Sequence, residues 1–402
     1  MDSVWQVAIP VEIVSEIFQY LSRPDRLACS VVCQKWHNAL SRRYLWKKIV
    51  LHVDRDFLEP STTLLVREYC KYIRTLEIGW NRPLVQNRWL PLKVHDLSKR
   101  VIHFICVLYE NNIQLSCFKF FEWHDIYAFK KIIFHISRFL KTQSNLKKLI
   151  FHNINLPRTE CIRVLESCLG SKFSVTSLEI HNNYYNFNTA FATLEFVVFL
   201  EQFWNLMELK LDYFILSRPR VMDVITENCN EKLTFLEIYV DEIDLHSIII
   251  PEKQWKGLRK SCPDIKVSIK IKNICHYEQI KFIFLMKAIP LNYFTLISNN
   301  KLNHKVSRNF EATLLRLTRN YHDTLERINL DLKNNRENLD HVIFSMILTC
   351  PKLKKLYFDG ILNDNMHLFY EICQYKKSAK GIIMKIFPNK YKSITNVVHM
   401  FS

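Results

Sequence analysis

The chain carries 12 cysteines, 15 histidines and 39 Asp and Glu side chains. That is ample material for thiol, imidazole or carboxylate chemistry, if spacing brings the groups together. It does not. No Cys-x-x-Cys pair occurs, and no Cys/His group has the ligand spacing of a zinc site. The histidines are scattered. A phosphate-cradling glycine loop, a dinucleotide fingerprint, a Gly-x-Ser-x-Gly elbow and an HExxH helix are all missing, and only 5 glycines are present to build such turns. Asp241, Glu242 and Asp244 read as a solvated acidic loop. Cys29, Cys33, Cys106, Cys168 and Cys350 fall inside apolar patterns, as small core residues with reduced thiols do. The sequence therefore predicts a protein without catalytic machinery, metal or cofactor, placed in the cytosol or nucleus.

Without catalysis, recognition remains. The 402 residues are 49% apolar and 24% charged, enough for a substantial core and too apolar for a disordered chain. The start MDSVWQVAIP has neither the basic nor the apolar region of a secretory leader. No run approaches the roughly 18–20 apolar residues of a membrane span. Val101–Tyr109 is broken by His103, and Ile280–Leu291 by Lys281 and Lys287. The formal net charge is +17, with Lys and Arg spread along the chain. The densest stretch, Arg259 to Lys272, ends in KVSIKIK, the alternation of a half-exposed strand. This reads as a solvated basic face rather than a nucleic-acid or membrane site.

The first fifty residues carry the sharpest pattern. Pro10, Ile13, Val14, Ile17, Phe18 and Leu21 fall at offsets 0, 3, 4, 7, 8 and 11, one face of a helix with Pro in its first turn. Ser22 and Asp25 form a cap for a second helix, continued by Leu27, Ala28, Val31 and Val32. Cys33, Trp36 and Leu40 carry a third, and Leu45, Trp46 and Ile49 close the segment. Three short helices bury little surface, so a stripe this wide calls for further cover.

Residues 9–46 resemble an F-box. Pro10, Glu12, Ile13, Val14, Ile17, Phe18, Leu21, Pro24, Asp25, Leu27, Val32, Cys33, Trp36, Leu45 and Trp46 match the family pattern in order and without a gap. Ile9 replaces the usual Leu, Arg26 stands where Leu is common, and Arg42 and Arg43 replace a frequent Asp-Pro. The resemblance implies docking on a Skp-type adaptor, and through it on cullin and RING subunits that transfer ubiquitin to a bound protein. Carried over by position, the adaptor-contacting residues are Pro10, Ile13, Val14, Ile17, Phe18, Leu21, Leu27 and Trp36, some of them shared with the module's own core.

After residue 70 the motif apolar-x-x-apolar-x-apolar recurs, as in IRTLEI, LKKLIF, VTSLEI and LKKLYF. Its fourth position falls at 76, 118, 149, 178, 209, 236, 268, 294, 328, 356 and 384, with steps of 26 to 34 after a first step of 42. Between copies lie helical spacings such as Phe129, Ile132, Ile133, Ile136 and Leu140, or Leu194, Val197, Val198 and Leu200. Strand–helix–strand units that cannot bury their apolar faces singly must stack. The pattern resembles an irregular leucine-rich repeat array. The family's ladder asparagine is matched at Asn81, Asn183, Asn273, Asn299 and Asn389 only.

The expected architecture is α/β: a three-helix F-box at 1–50, then a leucine-rich-repeat horseshoe at 51–402 with about 11 short parallel strands. Its open strand face would present Phe121, His152, His181, Lys210, Asp212, Tyr239, Asn329, Asp331, Tyr357 and Asp359, with Glu77, Lys119, Glu179 and Glu237 beside them. Aromatic residues mixed with both charge signs suit a protein ligand better than a phosphate backbone. The expected function is substrate recognition for a ubiquitin ligase. A scaffold without ligase role and, further off, a nucleic-acid-associated protein are the alternatives.

Overall fold

Apolar and polar residues alternating along a short run give a strand one sealed face and one open face. In Thr75–Gly79, Leu76 and Ile78 are fully buried while Thr75 and Glu77 keep part of their surface. Runs with apolar residues three and four apart become helices. Thus Ile132, Ile133, Ile136, Phe139 and Leu140 of Lys130–Lys141 point inward, with Lys130 and Lys131 outside. The computed structural model describes residues 9–58, 62, 67–80, 90–124, 130–181, 191, 193–228, 231–241, 244, 247–274, 280–281, 283–298, 309–334, 337–362, 382–387 and 397–399. It divides into two units. One comprises the described residues up to Val175; the other comprises Thr176–His181 and the described residues from Phe191 onward.

The first unit opens with helices α1 (Val11–Gln19), α2 (Arg23–Ser30), α3 (Gln34–Leu40) and α4 (Arg43–Trp46). Strand β1 (Lys48–His52) and the short α5 (Val53–Asp56) follow. Then come β2 (Thr75–Gly79), α6 (Leu90–Glu110), β3 (Cys117–His124), α7 (Lys130–Lys141), β4 (Lys148–Asn155) and α8 (Arg158–Ser167). The four strands pair in parallel in chain order, with Ile49, Leu76, Phe118 and Leu149 in one row. Ile49, read from sequence as closing the helical segment, is therefore a strand residue: Ile49 and Leu51 alternate inward as Leu76 and Ile78 do. Gly79 is required by close approach, since a Cβ there would lie 2.5 Å from both the Phe121 ring and the Phe121 carbonyl oxygen. Glu122 and Asn153 both adopt left-handed φ, 49° and 50°. They are bridged by the Asn153 Nδ2 donating to Glu122 Oε1 at 2.5 Å.

The second unit contains β5 (Ser177–His181), α9 (Leu194–Glu201), β6 (Glu208–Asp212), α10 (Tyr213–Leu216), α11 (Val221–Asn228) and β7 (Phe235–Val240). It continues with α12 (Glu252–Ser261), β8 (Lys266–Lys272), β9 (Leu291–Ser298), α13 (Phe310–Tyr321), β10 (Arg327–Leu332), α14 (Asp340–Thr349), β11 (Lys355–Ile361), β12 (Ile382–Phe387) and β13 (Val397–His399). Strands β5 to β12 pair in parallel in chain order, and β13 closes antiparallel on β12.

The registers correct two sequence expectations, and helix burial a third. Leu178, Leu209 and Leu236 share a row with Val267, not with residue 268. The buried side chains of β8 are Val267, Ile269 and Ile271, so the alternation runs on odd numbers there. Between Val267 and Ser268 the pairing with β9 slips, which brings Phe294 opposite Ile269. Phe294, Ile328 and Leu356 then align with Ile382, two residues before the expected Met384. In α9 the sealed residues are Phe196, Val197, Phe199 and Leu200, while Leu194 and Val198 face solvent.

Of the ladder asparagines, Asn81, Asn183, Asn299 and Asn389 lie outside the described residues, and Asn273 sits at a left-handed φ of 62°. A ladder role falls instead to buried Asn334. Its Nδ2 donates to the Ile361 and Glu337 carbonyls (2.7 and 2.9 Å), and its Oδ1 accepts from Ile361 N at 2.9 Å. Gln143 does the same in the first unit, donating to Ile113 O and accepting from Leu115 N. Each satisfies backbone groups that burial would otherwise orphan. Asp244 is not in a solvated loop. It is fully buried, its Oδ2 accepting from Asp241 N at 2.7 Å and its Oδ1 left without a partner; Glu242 lies outside the described residues. Burial pushes the Cys161 and Cys168 thiols up to about 12, which leaves them inert core groups. Among the described residues no helix is long and apolar enough to cross a membrane.

Candidate functional site

The residues singled out by sequence fall on the helical module of the first unit and on the open strand face of each unit. In the first unit Pro10 precedes α1 as its cap residue, with ψ of 145°. Val14 and Phe18 then point into a core shared with Ala39, Leu40, Leu45, Trp46 and Tyr69. Leu21, Leu27 and Trp36 are half-buried against it, the Trp36 ring edge-on to Phe18 at 5.4 Å. Ser15 Oγ lies 2.9 Å from the carbonyls of both Val11 and Ala39, which ties α1 to α3.

Two residues of the expected set face outward. Ile13 is 46% and Ile17 45% exposed, against 3% for Val14 and 2% for Phe18. Helix α1 thus has two apolar faces, one consumed by its own module and one bare. Val14 and Phe18 serve the module's own core, and each sits one position round the helix from the bare pair. Outside the expected set, Tyr20, Val31, Val32 and Tyr44 are also exposed. Val31 and Val32 lie in the turn between α2 and α3, a place that helical spacing alone does not mark as surface.

Arg26, a departure from the F-box pattern, has work inside the module. Its Nε donates to Phe18 O (2.8 Å), its Nη2 to Gln19 O (2.9 Å) and its Nη1 to Leu45 O (2.8 Å). A cation on the last carbonyls of α1 also complements the helix dipole. Arg26→Leu, which restores the common family residue, is expected to lower the stability of the module by about 1–2 kcal/mol. A urea-unfolding midpoint equal to the parent's would show that the clamp contributes nothing. Arg42, a second departure, pairs with Glu12 at 2.6 Å on the surface.

The other expected residues lie on open strand faces, one in each unit. In the first unit Phe121 is nearly buried, its ring set over Gly79, edge-on to His52 (5.2 Å) and beneath the Lys119 ammonium (5.3 Å). Glu77 is held by Lys48 at 2.6 Å and Lys119 at 3.7 Å, and His152 is half-buried. In the second unit the expected residues of β5 to β8 form one network. His181 Nδ1 is 2.6 Å from Asp212 Oδ1, and its ring stacks on Tyr239 at 4.1 Å. Lys210 reaches Glu179 (3.4 Å) and Glu237 (3.9 Å). Lys270, Ser268 and the Tyr239 hydroxyl all donate to Glu237, at 2.8, 3.2 and 2.8 Å. Burial and the two carboxylates Glu237 and Glu179 push the Tyr239 phenol far up, so it stays a donor. His181 and Asp212 are thus spent largely on each other, and Lys210 and Tyr239 on Glu179 and Glu237.

Strands β7 to β11 differ. They line a groove of about 700 Å³ in which Asn329 and Tyr357 lie beside Phe235, Tyr293, Arg327 and Lys355. The last four were missed by sequence reading, although each occupies an open-face strand position. On β10 and β11 the face runs from cations (Arg327 opposite Lys355) through Asn329 opposite Tyr357 to carboxylates (Asp331 opposite Asp359). The Tyr357 hydroxyl donates to Asp359 Oδ2 at 3.2 Å.

Helix α1 closes a small helical core and leaves a second apolar face bare. Residues 7–52 match the F-box-like family model. The chain therefore carries an F-box-like module, followed by an α/β region of strand–helix units. Human F-box only protein 33 is 23% identical to it over 407 residues, covering 88% of this chain and 72% of that protein. The mouse F-box only protein 33 is 22% identical over 413 residues, covering 88% and 71%. Both alignments run over most of this chain, well beyond the F-box-like module.

Proposed function

We propose that this chain is the non-catalytic substrate-recognition subunit of a cullin–RING ubiquitin ligase. Its F-box-like module docks a Skp-type adaptor, and a leucine-rich-repeat array holds the protein to be ubiquitinated. The observation that carries the reading is the pair Ile13 and Ile17, bare on α1 of a module whose core is already complete without them. Exposed branched residues on a rigid helix are the material of interface anchors. Arg26 serves the module's own backbone, which weakens the scaffold alternative that its departure from the family pattern supports.

The nucleic-acid alternative loses weight for an electrostatic reason. Six lysines on or beside the open strand face are already paired: Lys48 and Lys119 with Glu77, Lys210 and Lys270 with Glu237, Lys266 and Lys354 with Glu326. A phosphate backbone laid on the open face of either unit would meet these carboxylates.

The test is capture of a purified Skp-type adaptor by the full chain. Ile13→Asp with Ile17→Asp is expected to weaken capture more than tenfold while leaving the unfolding midpoint unchanged. An adaptor that fails to bind the parent chain at micromolar concentration sinks the ligase assignment.

A further inference from the structure

The open face of the second unit has a self-neutralised half and a half with donors to spare. On β5 to β8, Glu179, Lys210, Glu237, Ser268, Lys270 and Tyr239 satisfy one another. On β10 and β11, Arg327 and Lys355 pair with no carboxylate among the described residues, although the chain neutralises lysines next to them: Lys354 and Lys266 both bind Glu326. The Arg327 guanidinium is held over the Tyr293 ring, 5.4 Å from its centroid, so it is positioned rather than free-swinging. Between these cations and the strand ends lies Asn329. Its Oδ1 is shut off from solvent and has no hydrogen-bond partner, and its amide makes no bond to another described residue. A buried amide oxygen without a donor is a standing cost in the free protein. The groove around it, about 700 Å³ and walled by Phe235, Tyr293 and Tyr357, is open to a ligand.

We propose that this groove binds an extended peptide segment bearing an acidic side chain, with the Asn329 amide turning into the groove to pair with the peptide backbone and Arg327 and Lys355 taking the anion. A side-chain amide offers one acceptor and two donors, the complement of a peptide group. Arg327 and Lys355 stand opposite each other, two residues before Asn329 and Tyr357 on their strands. That offset, about 7 Å, separates an anion subsite from the backbone contact. The acceptors near the groove offer no rival cation site: Glu237 is already bound by three donors, and Glu208 accepts from Ser177 Oγ at 3.1 Å. The proposal rests on the reading of this face as the substrate surface and names the class of substrate it takes.

The probe is a fluorescein-labelled peptide of alternating Glu and Thr, followed by anisotropy on the full chain. Its phosphoserine–Thr and Lys–Thr counterparts and an oligouridine serve as competitors. Saturable binding of the Glu peptide is expected, with the Lys peptide failing to compete. Stronger competition by the phosphoserine peptide identifies a phosphorylated residue as the anion, and weaker competition a carboxylate. Arg327→Ala and Lys355→Ala should each weaken binding about tenfold. Asn329→Leu should weaken it similarly while the unfolding midpoint holds or rises, a result that a structural asparagine does not give. The proposal is overturned by equal binding of the Glu and Lys peptides, by affinity unchanged in the Arg327 and Lys355 variants, by preference for oligouridine, or by a fall in the Asn329→Leu midpoint. Adaptor capture by the same variants separates the two failures, because it reads the F-box-like module alone.

Discussion

Phe18→Ala is expected to unfold the N-terminal module rather than trim its surface, at a cost of about 3–5 kcal/mol. Phe18 is 2% exposed, sits in a core of seven buried residues and supports the Trp36 ring edge-on. A module of this size has little stability in reserve. Ile17 is one position round the same helix and 45% exposed, so Ile17→Asp removes no core contact. Urea unfolding followed by circular dichroism should show a large fall in midpoint for Phe18→Ala and a change within about 0.5 kcal/mol for Ile17→Asp. Adaptor capture should fail in both, for different reasons. The opposite pattern, with Phe18→Ala stable and Ile17→Asp unfolded, would turn α1 inside out.

The second large effect is a pH dependence set by Asp244. Its desolvation raises the carboxyl from 3.8 to about 8, with Asp212 and Asp241 adding repulsion and the Asp241 and Phe214 amides opposing the rise. The folded chain therefore keeps a proton that the unfolded chain releases above pH 4. Between about pH 4 and pH 8 the folded state binds more protons, so this group's contribution to stability falls as pH rises. The limiting slope for one proton is about 1.4 kcal/mol per pH unit. Above pH 8 both states are ionised and the slope vanishes. Asp244→Asn keeps the shape and an oxygen for the Asp241 amide but carries no charge. Unfolding free energies at pH 5, 6, 7 and 8 should decline more steeply for the parent than for the variant, with the variant the more stable at pH 8. Parallel curves would mean that Asp244 is ionised in the folded chain.

Much of this architecture is written in the spacing of apolar residues, because strand and helix periods are local. Leu76, Phe118, Leu149, Leu178, Leu209 and Leu236 all lie in strands at the row their motif assigns. What escaped was decided by neighbours. KIVLH alternates like any strand, but it directly follows a helical segment whose apolar stripe could absorb Ile49. Val267 and Ile382 displaced residues 268 and 384 because register is fixed by pairing with the adjoining strand, not by the motif. The same limit governs the sites. On α1 four apolar residues at 13, 14, 17 and 18 form one broad stripe, and only the packed core tells which two point inward. On the open strand face, composition located the surface but could not show that Lys210 and Tyr239 are consumed by Glu237, or that Arg327 and Lys355 are left over. Cross-strand partners some thirty residues apart make that difference.

The stacked pair Trp46 and Tyr69, ring planes 4° apart at 4.1 Å, carries a consequence for how the module is inherited and handled. A fragment cut after residue 52 keeps the whole matched F-box-like segment yet leaves the Trp46 indole uncovered on that side. The F-box-like module is thus not a detachable cassette: the region that follows it supplies part of its lid, so the two are inherited and handled as one piece.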